Sequence, residues 1–232
     1  MNILGLDACK LGWCGIGSIN NRLFWGCFSG LEEVVNQYPM INRILIDIPI
    51  GLSSKNFKRT VDAKARTLLG HRKSSIFSPP CREACYAENY KEALALNKKI
   101  EGKGISVQAY NISSKIKETD LWINQKSSNI QIFEAHPELC FKTLNNNKDL
   151  DFSKHSKEGI DQRKNIIFGH DEALKSVFEN LMSDFKRNQV KRDDILDAMA
   201  LYLINKNSEE LKIISDDNSI DETGKKVGIV CG

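Results

Sequence analysis

Short apolar runs separated by turn residues fill the first 50 positions of the chain. Three of these runs have the apolar or alternating pattern of β-strands: residues 3–6, 12–19 and 23–28. Their connections are short, and Asn20-Asn21 is a typical turn, so the three segments predict an antiparallel meander. Residues 30–38 then have one apolar helical face, and residues 43–48 have the pattern of a buried strand. Together they predict a mixed sheet in which a helix leads to a later, parallel strand.

Helical periodicity dominates the rest of the chain. Helices are predicted over residues 60–69, 85–100, 107–116, 170–185 and 192–204, with one further strand over residues 130–135. We therefore predict an α/β fold, in a single domain over residues 1–232, with a mostly helical insertion near residues 53–128. The segment 215–226 is acidic and then basic, which predicts a mobile polar loop.

Composition and charge exclude several classes of protein. Hydrophobic residues make up 41% of the 232 positions and charged residues 27%, which is typical of a globular protein and excludes a disordered chain. Apolar runs stay well below the roughly 18 residues of a membrane helix, so we expect no membrane partner. The net charge of +3 is too small to indicate nucleic acid by itself. The chain has seven cysteines, an odd number, and its first residues do not form a basic leader. These two features predict reduced thiols in a cytoplasmic protein.

Acidic residues stand at the ends of three apolar strands. Asp7, Asp47 and Glu134 each directly follow an apolar run. An ionised carboxylate beside a core strand is costly unless it is paired with a cation or bound to a metal. Each of the three has a simpler explanation as a cap or as a salt-bridge partner, but their recurrence on three strands indicates a shared site.

A late helix contributes a second acidic pair. Asp194 and Asp197 are three residues apart, so they share one face of the predicted helix, where their like charges repel. The positive end of the helix dipole relieves part of this repulsion, which leaves a plain acidic N-terminal turn as an alternative. A divalent cation would relieve more of it, and Mg²⁺ or Mn²⁺ prefers such oxygen ligands. The predicted metal ligands are Asp7, Asp47, Asp194 and Asp197.

Several short motifs occur in a fixed order along the chain. They are Gly5-Leu6-Asp7-Ala8-Cys9-Lys10 with Gly12-Trp13; Asp47-Ile48-Pro49-Ile50-Gly51-Leu52; Arg59, Asp62, Ala65-Arg66 and Gly70 with Ser75-Ile76-Phe77-Ser78-Pro79-Pro80; Glu134-Ala135-His136-Pro137-Glu138; and Lys191-Arg192-Asp193-Asp194-Ile195-Leu196-Asp197-Ala198. In this order they resemble the DUF429 family, whose members are predicted nucleases of the ribonuclease H-like superfamily. The resemblance covers residues 5–198.

The resemblance implies both a fold and a chemistry. The fold would be a ribonuclease H-like mixed sheet, with a three-strand antiparallel meander and parallel strands flanked by helices. Asp7 would be a central metal ligand together with Asp194 or Asp197, and Asp47 would match the acid of the fourth strand. Glu134 would be a further catalytic acid. The implied activity is that of a metal-dependent nuclease or phosphodiesterase, in which bound Mg²⁺ or Mn²⁺ and an activated water cleave nucleic acid.

Basic residues near the motifs are candidates for holding the substrate phosphates. The predicted substrate-binding residues are Lys10, Arg66, Arg72, His136 and Lys154. His136 is also a candidate proton shuttle, although its place before Pro137 is equally consistent with a helix N-terminus. Trp13 is available to stack on a base, but a core position is the favoured interpretation.

Two further classes of function stay open. An ATP-binding protein of the actin and sugar-kinase type shares the core topology, and Gly12, Gly15 and Gly17 offer a weak form of its phosphate-binding hairpin. A second matching phosphate loop is missing from the sequence, and the acidic pair of the late helix favours the nuclease. A non-catalytic nucleic-acid-binding domain is the third possibility, and the clustered acids argue against it.

Overall fold

The computed structural model describes residues 1–125 and 129–232, without the side chains of 216–219. One mixed sheet lies at its centre. The strands are β1 (Ile3–Cys9), β2 (Gly12–Ile19), β3 (Arg22–Phe28), β4 (Arg43–Ile46), β5 (Gln131–Ala135), β6 (Ile213–Ile220) and β7 (Lys226–Val230). They are ordered β3-β2-β1-β4-β5-β7-β6 across a seven-stranded sheet.

The first half of the sheet confirms the predicted meander and crossover. Strands β1, β2 and β3 are antiparallel neighbours, and β4 returns parallel to β1 after helix α1 (Leu31–Gln37). Asn20 and Asn21 form the tight turn between β2 and β3, with φ angles of 50° and 64°. Asparagine tolerates this left-handed conformation better than most residues, which explains why the hairpin turns here.

Helices fill the connection between β4 and β5, the part of the chain for which a helical insertion is predicted. They are α2 (Val61–Leu68), a short 3-10 helix (Gly70–Ser75), α3 (Arg82–Tyr86), α4 (Tyr90–Glu101), α5 (Val107–Asn111) and α6 (Ser113–Gln125). The helix predicted over residues 85–100 is two helices, because Asn89 caps a new one by accepting a hydrogen bond from the backbone N–H of Glu92 at 3.0 Å. Residues 126–128 of the predicted insertion lie outside the described residues.

The second half of the chain adds parallel strands and a large helical layer. Strand β5 is parallel to both β4 and β7. The helices are α7 (Pro137–Leu144), α8 (Lys157–His170), α9 (Ala173–Asp184) and α10 (Arg192–Asn207). Helix α10 is buried along most of its length and packs on the face of the sheet that carries Ile3, Leu45 and Ala135. The opposite face, with Leu6 and Ile46, forms a separate core.

The segment 215–226 differs from the prediction of a mobile loop. It contains most of β6, a turn and the start of β7, which form an antiparallel hairpin at the sheet edge. Asp221 holds the turn, because its carboxylate accepts hydrogen bonds from the backbone N–H groups of Thr223 at 2.8 Å and Lys225 at 3.0 Å. Among the described residues, the helices are all too short or too polar to span a membrane.

Candidate functional site

Asp7 and Asp47 lie side by side at the carboxyl ends of two parallel strands. Leu6 of β1 and Ile46 of β4 are partners in the ladder, so the next residue of each strand reaches the same edge. The backbone N–H of Asp47 donates to the carbonyl oxygen of Leu6 at 2.9 Å, which fixes this register beyond the end of β4. The first two predicted acids are therefore neighbours.

Helix α10 brings the second acidic pair to the same place. Gly5 of β1 permits its close approach, because a Cβ at this position would lie 2.5 Å from the carbonyl oxygen of Ala198. Asp197 directly precedes Ala198, and Asp194 lies one turn before it, near the start of α10. Asp194 caps the helix by accepting a hydrogen bond from the backbone N–H of Lys191 at 2.9 Å. Asp197 is almost completely buried.

Burial and crowding disfavour ionisation of Asp7, Asp194 and Asp197. Burial raises the pKa of Asp7 well above its ordinary value, and the nearby charges of Asp47, Asp197 and Asp194 raise it further. Burial also raises the pKa of Asp197 to about 6, although Lys154 opposes the shift. The pKa of Asp194 is raised mainly by burial. The four predicted metal ligands thus form one electrostatically coupled group, which we call the acidic cluster.

Lys154 supplies positive charge to this cluster. Its ammonium nitrogen lies 3.1 Å from a carboxylate oxygen of Asp197. Asp197 raises the pKa of Lys154, and the charges of Asp7 and Asp47 act in the same direction. The lysine side chain is 39% exposed, whereas that of Asp197 is 4% exposed, so the ammonium approaches the cluster from the solvent side. Lys154 acts as the counter-ion of the buried acids.

A cleft of about 360 Å³ opens above the acidic cluster, and it is called the acid cleft here. Asp47, Asp197 and Lys154 line it together with two other predicted substrate-binding residues, Arg72 and His136. The ring of His136 caps helix α7, because its Nδ1 accepts from the backbone N–H of Glu138 at 3.3 Å. The structure thus has the predicted helix N-terminus at His136 and also exposes the ring to the cleft.

Glu134 is not part of the acidic cluster. It is the ladder partner of Ile46, so its side chain lies on the opposite face of the sheet from Asp7. There the carboxylate accepts hydrogen bonds from Arg59 at 2.6 and 2.9 Å and from the backbone N–H of Ile50 at 2.7 Å. Arg59 also pairs with Asp62 at 2.8 Å. Glu134 is therefore placed as a buried salt-bridge partner, the simpler of its two explanations.

Three other candidates lie away from the acid cleft. Lys10 is exposed in the turn between β1 and β2. Arg66 donates to the carbonyl oxygen of Ile76 at 2.7 Å and to the hydroxyl of Ser78 at 2.9 Å, so it fixes a loop. Trp13 is fully buried and its indole N–H donates to Glu118 at 2.9 Å, which confirms the core interpretation.

Glu138 and Arg163 were not among the predicted site residues. Glu138 lines the acid cleft, and the completely buried guanidinium of Arg163 donates to its carboxylate. A sequence signal existed for Glu138, since it closes the motif that begins at Glu134. Arg163 lies in the middle of α8, where no local pattern distinguishes a buried arginine from a solvated one.

The glycines considered for a phosphate hairpin have a packing explanation. A Cβ on Gly15 would lie 2.9 Å from the side chains of both Leu6 and Phe28, and one on Gly17 would collide with Phe24. These two glycines make room for neighbouring side chains within the sheet. Compared with this glycine-containing hairpin, the acidic cluster is the stronger candidate for a functional site.

The donor chemistry of the acidic cluster suits Mg²⁺ or Mn²⁺, since buried carboxylates with raised pKa values are stabilised by a hard cation. Among the side chains that the structure describes, however, no three Asp, Glu, His or Cys groups are arranged to hold a metal ion. In this arrangement the counter-charge is the ammonium of Lys154. A cation would have to displace it.

The sheet and the acid cleft define an α/β protein with two neighbouring carboxylates on parallel strands, the buried Asp7 of β1 and the half-buried Asp47 that follows β4. The model of one family, described as "Protein of unknown function (DUF429)", matches residues 5–217. The match covers most of the chain, which therefore belongs to this family, as its motifs indicate. None of the curated proteins and none of the solved structures matches the chain.

Proposed function

We propose that the protein is a metal-dependent nuclease whose centre is the acidic cluster. The observation that carries the proposal is the convergence of Asp7, Asp47 and Asp197: the charges of Asp47 and Asp197 raise the pKa of the buried Asp7, and Asp47 and Asp197 line the acid cleft. Crowded carboxylates repel one another and reduce the stability of the fold, and a purely structural role does not require them. Carboxylates of this kind can bind a divalent cation, which in turn can bind a polyanionic substrate.

The sheet supports a ribonuclease H-like fold for this nuclease. Three antiparallel strands precede a helix and two parallel strands, and the order runs β3-β2-β1-β4-β5. This arrangement agrees with the one that the sequence motifs imply. The late helix α10 packs on β1, so that an acid of the first strand meets an acid of the last long helix.

The roles of the side chains follow from their positions. Asp7, Asp47 and an acid of α10 would hold the cation, which supplies an activated water and stabilises the leaving oxygen of a phosphodiester. Lys154 balances the buried charge of Asp197 in the free protein, and it would give way to a bound cation. Its ammonium then becomes available to a phosphate in the acid cleft, beside Arg72.

The test is a cleavage assay on single-stranded, duplex and branched nucleic acids, with Mg²⁺ or Mn²⁺ and with a chelator. We expect cleavage that needs the cation and that falls by about a hundredfold or more in Asp7→Asn. Glu134→Gln is the matched control, because it also removes one buried strand-end carboxylate but lies on the other face of the sheet. Cleavage that persists in the chelator, or that is unchanged in Asp7→Asn, would exclude this function.

A further inference from the structure

A second concave surface lies next to the acid cleft and has the opposite charge. Five basic residues line this groove of about 360 Å³: Lys154, Lys157, Arg187, Lys191 and Arg192. Asp193 is the acidic residue that lines it with them. The residues come from the start of α8, the start of α10 and the segment that precedes each helix. We call this surface the basic groove.

Most of the charge in the basic groove is not neutralised by the protein. Lys157, Arg187, Lys191 and Arg192 are exposed, and none of them forms an ion pair with another of the described residues. Four neighbouring like charges repel one another, and a bound polyanion would remove that repulsion.

The basic groove and the acid cleft share an edge. Lys154 and His155 line both, and Lys154 also carries the ion pair with Asp197. An extended anion in the groove would therefore meet, at this shared edge, the lysine that pairs with the acidic cluster. A single strand can place its flexible phosphate backbone along a basic groove of this size.

We infer that the basic groove binds the phosphate backbone of single-stranded nucleic acid. The bound strand would lie next to the acid cleft, where the proposed cleavage takes place. The assignment of the cleft rests on the proposed function, but binding in the groove needs no cation and no reaction. Phosphate contacts of this kind give affinity and register rather than sequence preference. The groove would thus deliver a strand of any sequence to the acidic cluster.

The experiment measures the binding of a fluorescent oligothymidylate of about 15 nucleotides by anisotropy, in a chelator, between about 50 and 200 mM KCl. The groove variant is Lys157→Ala/Arg187→Ala. Its matched control is Lys98→Ala/Lys99→Ala, which removes two exposed lysines from the last turn of α4. We expect about tenfold weaker binding by the groove variant at about 100 mM salt. The slope of log K against log salt should fall by about 1.4, since each lost phosphate contact of a single strand removes about 0.7.

Three results would overturn the inference. They are an unchanged affinity and slope in the groove variant, an equal loss in the α4 control, and tighter groove-dependent binding of a duplex of the same length. A parallel titration of Asp7→Asn separates this inference from the proposed function, because its binding should be at least as tight as that of the wild type. If the protein binds the oligonucleotide through the groove but cleaves no nucleic acid, the proposed nuclease function is rejected and the inference about the groove stands.

Discussion

The ammonium of Lys154 lies 3.1 Å from the carboxylate of Asp197, and it supplies positive charge where the sequence predicts a metal ion. The two side chains come from different parts of the fold, a loop before α8 and the first turns of α10. Their pairing explains how several carboxyls can be crowded together in the free protein. Removal of Lys154 should therefore lower the free energy of unfolding, because the repulsion and burial of the carboxylates would no longer be offset.

Lys154→Met should destabilise the protein at pH 7, because it leaves Asp197 buried without its counter-ion. We expect a loss of about 1–2 kcal/mol in the free energy of unfolding, less than for a fully buried pair since the lysine is partly exposed. The loss should shrink near pH 5, where Asp197 binds a proton. Urea denaturation at both pH values measures it. Lys157→Met is the control, and equal stability of both variants at pH 7 would contradict the counter-ion role.

Asp7→Asn should stabilise the fold at pH 7. The pKa of Asp7 is raised in the folded protein, so the stability linked to its protonated form is fully present below about pH 4 and is lost as the pH rises through the folded pKa. The amide carries no charge and avoids this loss. We expect a gain of about 1 kcal/mol or more at pH 7 and almost none near pH 4. A loss of stability at pH 7 would mean that Asp7 is a salt-bridge partner.

Glu134→Gln should have the opposite effect on stability. Its carboxylate accepts two hydrogen bonds from Arg59 and one from the backbone of Ile50, and an amide cannot accept all three. We expect a loss of about 2 kcal/mol in the free energy of unfolding. Thermal unfolding of the two variants side by side gives the comparison. If the Glu134→Gln protein were as stable as the wild type, Glu134 would not be a stabilising salt-bridge partner, and its role would no longer differ from that of Asp7 in this respect.

Gly5→Ala should separate helix α10 from the first strand. The added Cβ would meet backbone atoms of Ala198 and Tyr202, which cannot rotate away as a side chain can. We expect a loss of about 1–3 kcal/mol and a weaker pKa shift at Asp7, followed by the carboxyl signals in NMR titration. Gly169→Ala is the control, since it lies inside α8 with open space around it and should stabilise the helix by about 0.5–1 kcal/mol. Equal stability of both variants would show that α10 tolerates displacement.

The sequence predicted the parts of the fold that depend on local patterns. The meander, α1, the parallel β4 and α10 follow from period and turn chemistry, and they place Asp7 beside Asp47. The edge hairpin of β6 and β7 was missed, because the sequence of its first strand is largely polar. Its turn depends on the carboxylate of Asp221, which an acidic loop would also contain.

The site was harder to predict where it depends on register and on distant partners. Glu134 follows an apolar strand just as Asp7 does, but it aligns with Ile46 rather than with Asp47, and one residue of register turns a side chain to the other face. Only the pairing of β4 with β5 decides this. Lys154 was a predicted substrate contact, yet its ion pair with Asp197 depends on how the loop before α8 is placed beside α10.

The most direct test of the metal centre is an anomalous difference map from crystals soaked in Mn²⁺. The proposal predicts one or two peaks between Asp7 and the acids of α10, with the ammonium of Lys154 moved away from Asp197. A map without a peak at this position under saturating Mn²⁺, with Lys154 still paired to Asp197, would contradict it.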